Sequence, residues 1–279
     1  MDRRPPRLEA RRVIRAAALL GSHDILLVTL DSLRYDVACA ALAAGRTPNL
    51  ARLLPAEGWE RRHAPGSFTF AAHQAIFAGF LPTPATPGPH HRHFALRFEG
   101  SRTTGPDTAL FDAPDIVSGL AAHGYHTLCI GGVGFFNKRT PLGRVLPGLF
   151  AESHWRASFG VQARDSTAAQ VGAAVERIAA LDPEKRLFQF INVSATHHPT
   201  LAYLPGATRE SAETQGAALA HADGALAPLF AALSRRGPAL CILCADHGTA
   251  FGEDGYRGHR LAHPTVWDVP YAEFILEAA

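Results

Sequence analysis

The stretch Ile25-Leu26-Leu27-Val28-Thr29-Leu30-Asp31-Ser32-Leu33-Arg34 decides the fold. Its apolar run reads as a buried strand, and the strand ends abruptly in a carboxylate. Three further runs, Thr127 to Ile130, Leu187 to Val193 and Leu240 to Ala245, have the same character and are separated by segments of helical period. This alternation predicts an α/β sandwich around a largely parallel sheet. Helices are expected over Pro48 to Leu54, Phe70 to Ala78, Asp115 to His123, Ser166 to Leu181 and Ala212 to Ser234, most of them introduced by a capping residue or a proline. No internal repeat is present.

Outward from this frame, 279 residues with 47% apolar and 19% charged content suffice for one large core, and a single domain over 24–279 is expected. A formal charge of +2 with scattered arginines is no basis for a nucleic-acid partner. Residues 1–23 read as a basic amphipathic helix with Val13, Ala17 and Leu20 on the face packed against the domain. Their longest apolar stretch, Ala16 to Leu20, is too short to insert in a membrane, and a cytoplasmic location is the expectation. Cys241 and Cys244 lie three apart on one strand and so face opposite sides. They read as buried free thiols rather than a metal or redox pair. The segment Pro82 to Gly105 is read as a long surface loop with at most a short strand at Phe94 to Phe98. Its His90-His91-Arg92-His93 cluster is either an anion contact or a solvated turn.

Three segments carry chemistry. Asp31 stands at the carboxyl end of its strand, where open α/β sheets collect ligands; it is placed either to hold a cation or to cap the next helix. Asp246-His247-Gly248 follows the strand Leu240 to Ala245 in the same way, and carboxylate and imidazole there can turn toward one metal. In Pro65-Gly66-Ser67-Phe68-Thr69-Phe70, Thr69 stands at the start of a short helix running to Ala78. Its hydroxyl is either an N-cap or a nucleophile facing the positive end of the helix dipole.

Taken in order, Leu30 to Arg34, Thr47-Pro48-Asn49-Leu50-Ala51-Arg52-Leu53, Thr69 to Gly79, Asp246-His247-Gly248 and Gly258-His259 resemble the alkaline phosphatase/sulfatase superfamily, with weaker echoes at Gly124 to Thr127 and at Asp223. The resemblance covers nearly the whole chain from Asp24 onward and implies an α/β/α sandwich lacking the usual C-terminal subdomain. Formylglycine-dependent sulfatases carry a cysteine or serine ten residues before the glycine that corresponds to Gly79. Thr69 stands there instead, with His73 in the place of their arginine. A threonine resembles the nucleophile of the phosphodiesterase, phosphonate-hydrolase and phosphoethanolamine-transferase branches, which tilts the expected chemistry from sulfate toward phosphorus esters.

By the same resemblance, Asp31, Asp246, His247 and Thr69 share one divalent metal, zinc first and manganese second. The region Phe190 to Pro199 offers no carboxylate for a second set, so one metal is favoured, with a second left open. His197 and His259 are expected at the ester or its leaving group, and His73 and Lys138 at the substrate oxyanion. The implied reaction is attack by Thr69 on a small anionic ester, followed by hydrolysis of the covalent ester. The alternatives are transfer of the phosphoryl-linked group to an acceptor other than water, and a catalytically quiet relative that binds an anion or a partner. Oligomeric state has no readable signal.

Overall fold

The computed structural model describes residues 14–79, 87–89, 94–95, 109–110 and 115–279. Seven strands form the main sheet: β1 (Asp24–Leu30), β2 (Glu60–His63), β3 (His126–Ile130), β4 (Glu152–His154), β5 (Leu187–Val193), β6 (Ala239–Cys244) and β7 (Asp268–Leu276). In space they lie in the order β2-β7-β6-β1-β5-β3-β4. The run from β6 through β1, β5 and β3 to β4 is parallel, and β7 is antiparallel to both of its neighbours. β1 lies in the middle with every residue buried, as its uninterrupted apolar run requires.

Alternation along β1 divides the core in two. Leu26, Val28 and Leu30 join the cluster beneath helices α1 (Tyr35–Ala43), α4 (Ser166–Ala180) and α5 (Ala212–Arg236), whereas Ile25 and Leu27 face a phenylalanine-rich cluster with α2 (Thr69–Ala78) and α3 (Ile116–Ala122). Cys241 falls in the first cluster and Cys244 against the second, so both are free thiols on opposite faces; Cys39 and Cys129 are free as well. Asp115 caps α3 in a capping box with Ser118, and Ser211 does the same for α5 with Thr214. By length and composition α5 alone among the described residues would cross a bilayer. Here Leu219, Leu226, Leu229 and Leu233 are buried in the first cluster.

Several elements depart from the sequence expectations. β2, β4 and β7 and the helix α1 were not anticipated, and the helix expected from Pro48 is a single turn, Pro48–Ala51. Of the expected N-terminal helix, residues 1–13, Val13 included, lie outside the described residues. Ala16–Leu19 is one 3-10 turn, and Ile14 and Leu19, not Ala17 and Leu20, pack on the core. The cause is local: Gly21, at φ 79°, donates its N–H to the Tyr125 hydroxyl and turns the chain into β1 before a second helical turn can form. Most of Pro82 to Gly105, with His90 to His93, lies outside the described residues; Phe94–Ala95 is a short strand paired with Ala109–Leu110.

Candidate active site

Parallel pairing places the carboxyl ends of β1, β5 and β6 side by side, and the site is assembled there. Asp31 follows β1, Asp246 and His247 follow β6, and Thr69 opens α2 across from them. One ligand atom from each of Asp31, Asp246 and His247 lies within 4.8 Å of the other two, all three residues are fully buried, and together they could hold a metal ion. Thr69 Oγ1 sits 3.4 Å from Asp31 Oδ2 and 3.4 Å from His247 Nε2.

Hydrogen bonds fix each donor. Asp31 Oδ2 accepts from Asn192 Nδ2 at 3.0 Å and its Oδ1 accepts from the Ser32 hydroxyl at 3.0 Å. Asp246 Oδ1 accepts from the backbone N–H of Ser32 at 3.1 Å and of His247 at 2.9 Å. Ser32 does this in a left-handed conformation, φ 62°, that a non-glycine residue adopts only at a cost, and Gln215 holds its carbonyl at 2.7 Å. His247 Nδ1 donates to the Gly248 carbonyl at 2.7 Å, which leaves the Nε2 lone pair for a ligand. Gly248 has no alternative here: a Cβ would fall 2.1 Å from the Thr265 carbonyl oxygen.

A cation fits this donor set. Asp246 Oδ2 is buried with no hydrogen-bond partner, and no lysine or arginine pairs with either carboxylate in the described residues. Burial and then the facing Asp31 charge push the Asp246 carboxyl well above its ordinary value. Burial acts the same way on Asp31, but the attraction of His197 and His247 and the Asn192 hydrogen bond outweigh it and hold that carboxyl low. His247 is brought down to about 4 by burial, so its imidazole is neutral and able to ligate.

His73 corrects an expectation. It is fully buried under Thr69, where Nδ1 donates to the Thr69 carbonyl at 2.7 Å and Nε2 meets the Thr29 hydroxyl at 3.0 Å. Its ring packs edge-on against Phe136 and Phe190, and burial depresses it to about 4. It therefore props the start of α2 beneath Thr69 and is walled off from the cleft. Lys138 is also displaced from its expected role: Nζ bonds the Ser153 carbonyl and hydroxyl on the exposed surface, at 3.0 and 2.9 Å, and the residue does not line the cleft. The φ of 58° at Lys138 accompanies this turn away from the site.

Thr69 is 2% exposed, and it lines a cleft of about 380 Å³. His197, His198, His259 and Arg260 form one side, with Val133, Phe135, Leu142 and Val161 also on the lining. The ring nitrogens of His197, His198 and His259 approach within 4.8 Å of one another, a second set able to hold a metal and one without any carboxylate. The His259 ring is tilted against that of His247 with centroids 4.7 Å apart, and its Nδ1 is buried without a partner among the described residues. Burial, with repulsion from His247 and His197, takes His259 down to about 2. His197 Nδ1 donates to the His198 carbonyl at 2.5 Å, so this bond engages Nδ1 and not Nε2. Sequence reasoning missed Asn192, Ser32, His198 and Arg260. Of these only Asn192, the polar break near the end of an apolar strand, left a mark that could have been read.

Residues 23–272 match the model of the sulfatase family. The chain belongs to the sulfatase family. Solved structures agree on the fold of this sulfatase-family chain. The C-terminal periplasmic domain of phosphoethanolamine transferase EptC from Campylobacter jejuni aligns with a TM-score of 0.62 at 11% identity, over 91% of this chain and 79% of that one. A zinc complex of the corresponding domain of EcEptC from Escherichia coli gives 0.59 at 13% identity, over 92% and 73%. The integral membrane lipooligosaccharide phosphoethanolamine transferase A from Neisseria meningitidis gives 0.60 at 13%, and there this chain spans only 48% of the other's length. Among curated proteins, none matches the chain in sequence.

Proposed function

We propose that this sulfatase-family chain is a metal-dependent hydrolase of phosphate-type esters that works through a covalent Thr69 ester. The observation that carries the reading is the orphaned Asp246 Oδ2, buried with Asp31 and the free Nε2 face of His247 around the Thr69 hydroxyl. Asp31, Asp246, His247 and Thr69 would hold the ion, with zinc ahead of manganese for this mixture of oxygen and imidazole donors. When bound, the ion lowers the pKa of the threonine alcohol and draws charge from the ester oxygen. A zinc complex of a structural neighbour supports the choice of metal.

The chain's own residues perform the rest. His73 and the start of α2 aim Thr69 Oγ1 along the cleft. That oxygen, its proton lost to solvent, forms a bond to phosphorus while the bond to the leaving oxygen breaks, and the leaving oxygen takes a proton from His197 Nε2. Water then attacks the Thr69 phosphoryl ester and gives a proton to His197, the bond from phosphorus to the Thr69 oxygen breaks, and that oxygen regains a proton from solvent as the acid is released. His259, held neutral by burial, serves as a hydrogen-bonding contact to the ester oxygens rather than as an acid. A location in the cytoplasm belongs to the same proposal and is supported by the four free thiols.

Metal analysis of the purified protein, with turnover of aryl phosphate mono- and diesters, phosphonates and sulfates, tests the reading. Stoichiometric zinc or manganese and chelator-sensitive hydrolysis are expected, with phosphate-type esters ahead of sulfates. A Thr69→Ala protein of undiminished activity would overturn it. Transfer to an added alcohol in preference to water would favour the transferase instead.

A further inference from the structure

The acid role given to His197 requires a fixed register between its loop and the strand ends that carry Asp31 and Asp246. Its side chain makes a single hydrogen bond among the described residues, from Nδ1 to the adjacent His198 carbonyl. Placement of the ring therefore falls to the backbone of residues 194–200. Both ends of that loop are tied down. Ser194 Oγ donates to the Phe159 carbonyl at 2.6 Å, the Thr200 N–H donates to Glu210 Oε1 at 2.9 Å, and the Thr200 hydroxyl meets Thr214 Oγ1 at 2.8 Å. The middle, next to His197, is held from α5. Gln215, buried in the first turn of that helix, donates through Nε2 to the Thr196 carbonyl at 3.1 Å and to the Ser32 carbonyl at 2.7 Å, and its Oε1 accepts from the Arg34 N–H at 3.3 Å. Thr196 adds a second tie between the same two loops, from its hydroxyl to the Asp31 carbonyl at 2.8 Å.

The amide of Gln215 is used in full: two donors meet two carbonyls and one acceptor meets an N–H. A glutamate there would set an oxygen against both carbonyls, and a methionine would leave both without this donor. The Ser211–Thr214 capping box fixes the turn from which the side chain extends, so the amide is delivered by a rigid element. One of its two carbonyl partners belongs to Ser32, whose N–H and hydroxyl orient Asp246 and Asp31, and the other belongs to the residue before His197. Ser32 keeps those two bonds without the glutamine, whereas the His197 side of the bridge has only the Thr196 hydroxyl to fall back on. Resting on the proposed function, we infer that Gln215 is a positioning residue: with the Thr196 hydroxyl, it sets His197 Nε2 against the leaving oxygen of an ester at Thr69. Its contribution is to proton delivery and not to metal holding.

The test compares phenyl with 4-nitrophenyl leaving groups, in the phosphate monoesters and the methyl diesters, on the metal-loaded full chain. Phenolate needs a proton to leave and 4-nitrophenolate scarcely does, so the ratio of the two reads proton delivery. Gln215→Met, close in length but without the amide, should lower kcat/KM about 30-fold for the phenyl esters and no more than about three-fold for the nitrophenyl esters, at unchanged metal content. Thr196→Val, an independent variant of the same shape, should show the same asymmetry to a smaller degree. His197→Ala should reproduce the asymmetry, and adding Gln215→Met to it should change either rate by less than about two-fold. Equal losses with both leaving groups, native rates in both variants, or a full further loss in the His197→Ala background would overturn the inference and leave the hydrolase standing. Turnover of none of these esters by the native protein would overturn the proposed function. The inference is then decided by the imidazole resonances of His197, assigned by their disappearance in His197→Ala. Signals that move in Gln215→Met while those of His247 stay in place sustain it, and any other pattern overturns it.

Discussion

The two ends of β1 each carry a fully buried aspartate, and the chain treats them in opposite ways. At the amino end, Asp24 is neutralised from within: Oδ2 accepts from Arg236 Nε at 2.8 Å, Oδ1 accepts from the Leu187 N–H at 2.9 Å, and Arg186 stands 3.6 Å away. Arg236 also donates to the carbonyls of Leu181, Asp182 and Lys185, so the pair stitches α5 and the loop after α4 to the sheet. At the carboxyl end, Asp31 and Asp246 face each other with no arginine or lysine paired to them among the described residues, and there one oxygen has no partner. A buried charge left without a partner costs several kcal/mol, so a fold keeps one only where something else supplies the countercharge. The amino end is thereby a structural clamp, and the carboxyl end is the proposed seat for a cation.

Breaking each end should give a different signature. The largest effect is on turnover: Thr69→Ala is expected to lower kcat by about 1,000-fold or more while leaving thermal stability within a degree or two, measured by steady-state kinetics and calorimetry. Next, Arg236→Met strands the Asp24 carboxylate and should cost about 3–5 kcal/mol in denaturant unfolding, with the metal content of the surviving folded protein unchanged. An Arg236→Met protein of native stability would erase the distinction between the two ends.

Asp246→Asn sharpens the comparison. It should abolish stoichiometric metal and turnover, yet raise the stability of the chelated protein by about 1–2 kcal/mol, since an uncompensated charge has been removed. The sign follows the linkage. The folded carboxyl lies above its unfolded value, so its contribution is fully present below the unfolded pKa and is lost as pH rises through the folded one. The stability gap between Asp246→Asn and native chelated protein should therefore widen with rising pH, and a gap independent of pH would sink the account of an orphaned charge.

The smallest effect belongs to a part-buried contact two residues past Ser32. Arg34 binds Glu253 and Asp36, and Glu253 lies at about 2, with burial opposing and the Arg34 hydrogen bond driving the shift. Its stabilisation should be present above pH 4.5 and fade as pH falls toward 2, and solvent screening holds the loss in Glu253→Gln to below about 1 kcal/mol at neutral pH. A thermal midpoint compared at pH 7 and pH 3 checks it.

Legibility in the sequence followed burial. β1, β3, β5 and β6 were readable because strands covered on both faces leave unbroken apolar runs. β2, with Glu60, Arg61, Arg62 and His63, and β4, with Glu152 to His154, lie at the sheet's edges, where polar side chains satisfy the exposed surface and erase that pattern. At the site, Asp31, Asp246-His247 and Thr69 were singled out as candidates by their place at strand or helix ends. His73 and Lys138 were misplaced, because position along a chain says nothing of direction. One histidine turned inward under α2, and one lysine turned outward to Ser153.

By itself, the sequence determined the α/β alternation, the central strands and the choice of chemical groups at their ends, since those depend on local apolar pattern and on side-chain type. Tertiary structure alone decided which aspartate is answered by an arginine and which is left open, which histidines meet, and that Arg260 joins an apolar lining beside Thr69. The physical reason is that countercharge, desolvation and cavity shape are set by residues far apart in the chain, which only the packing of the sheet and its helices brings within a few ångströms.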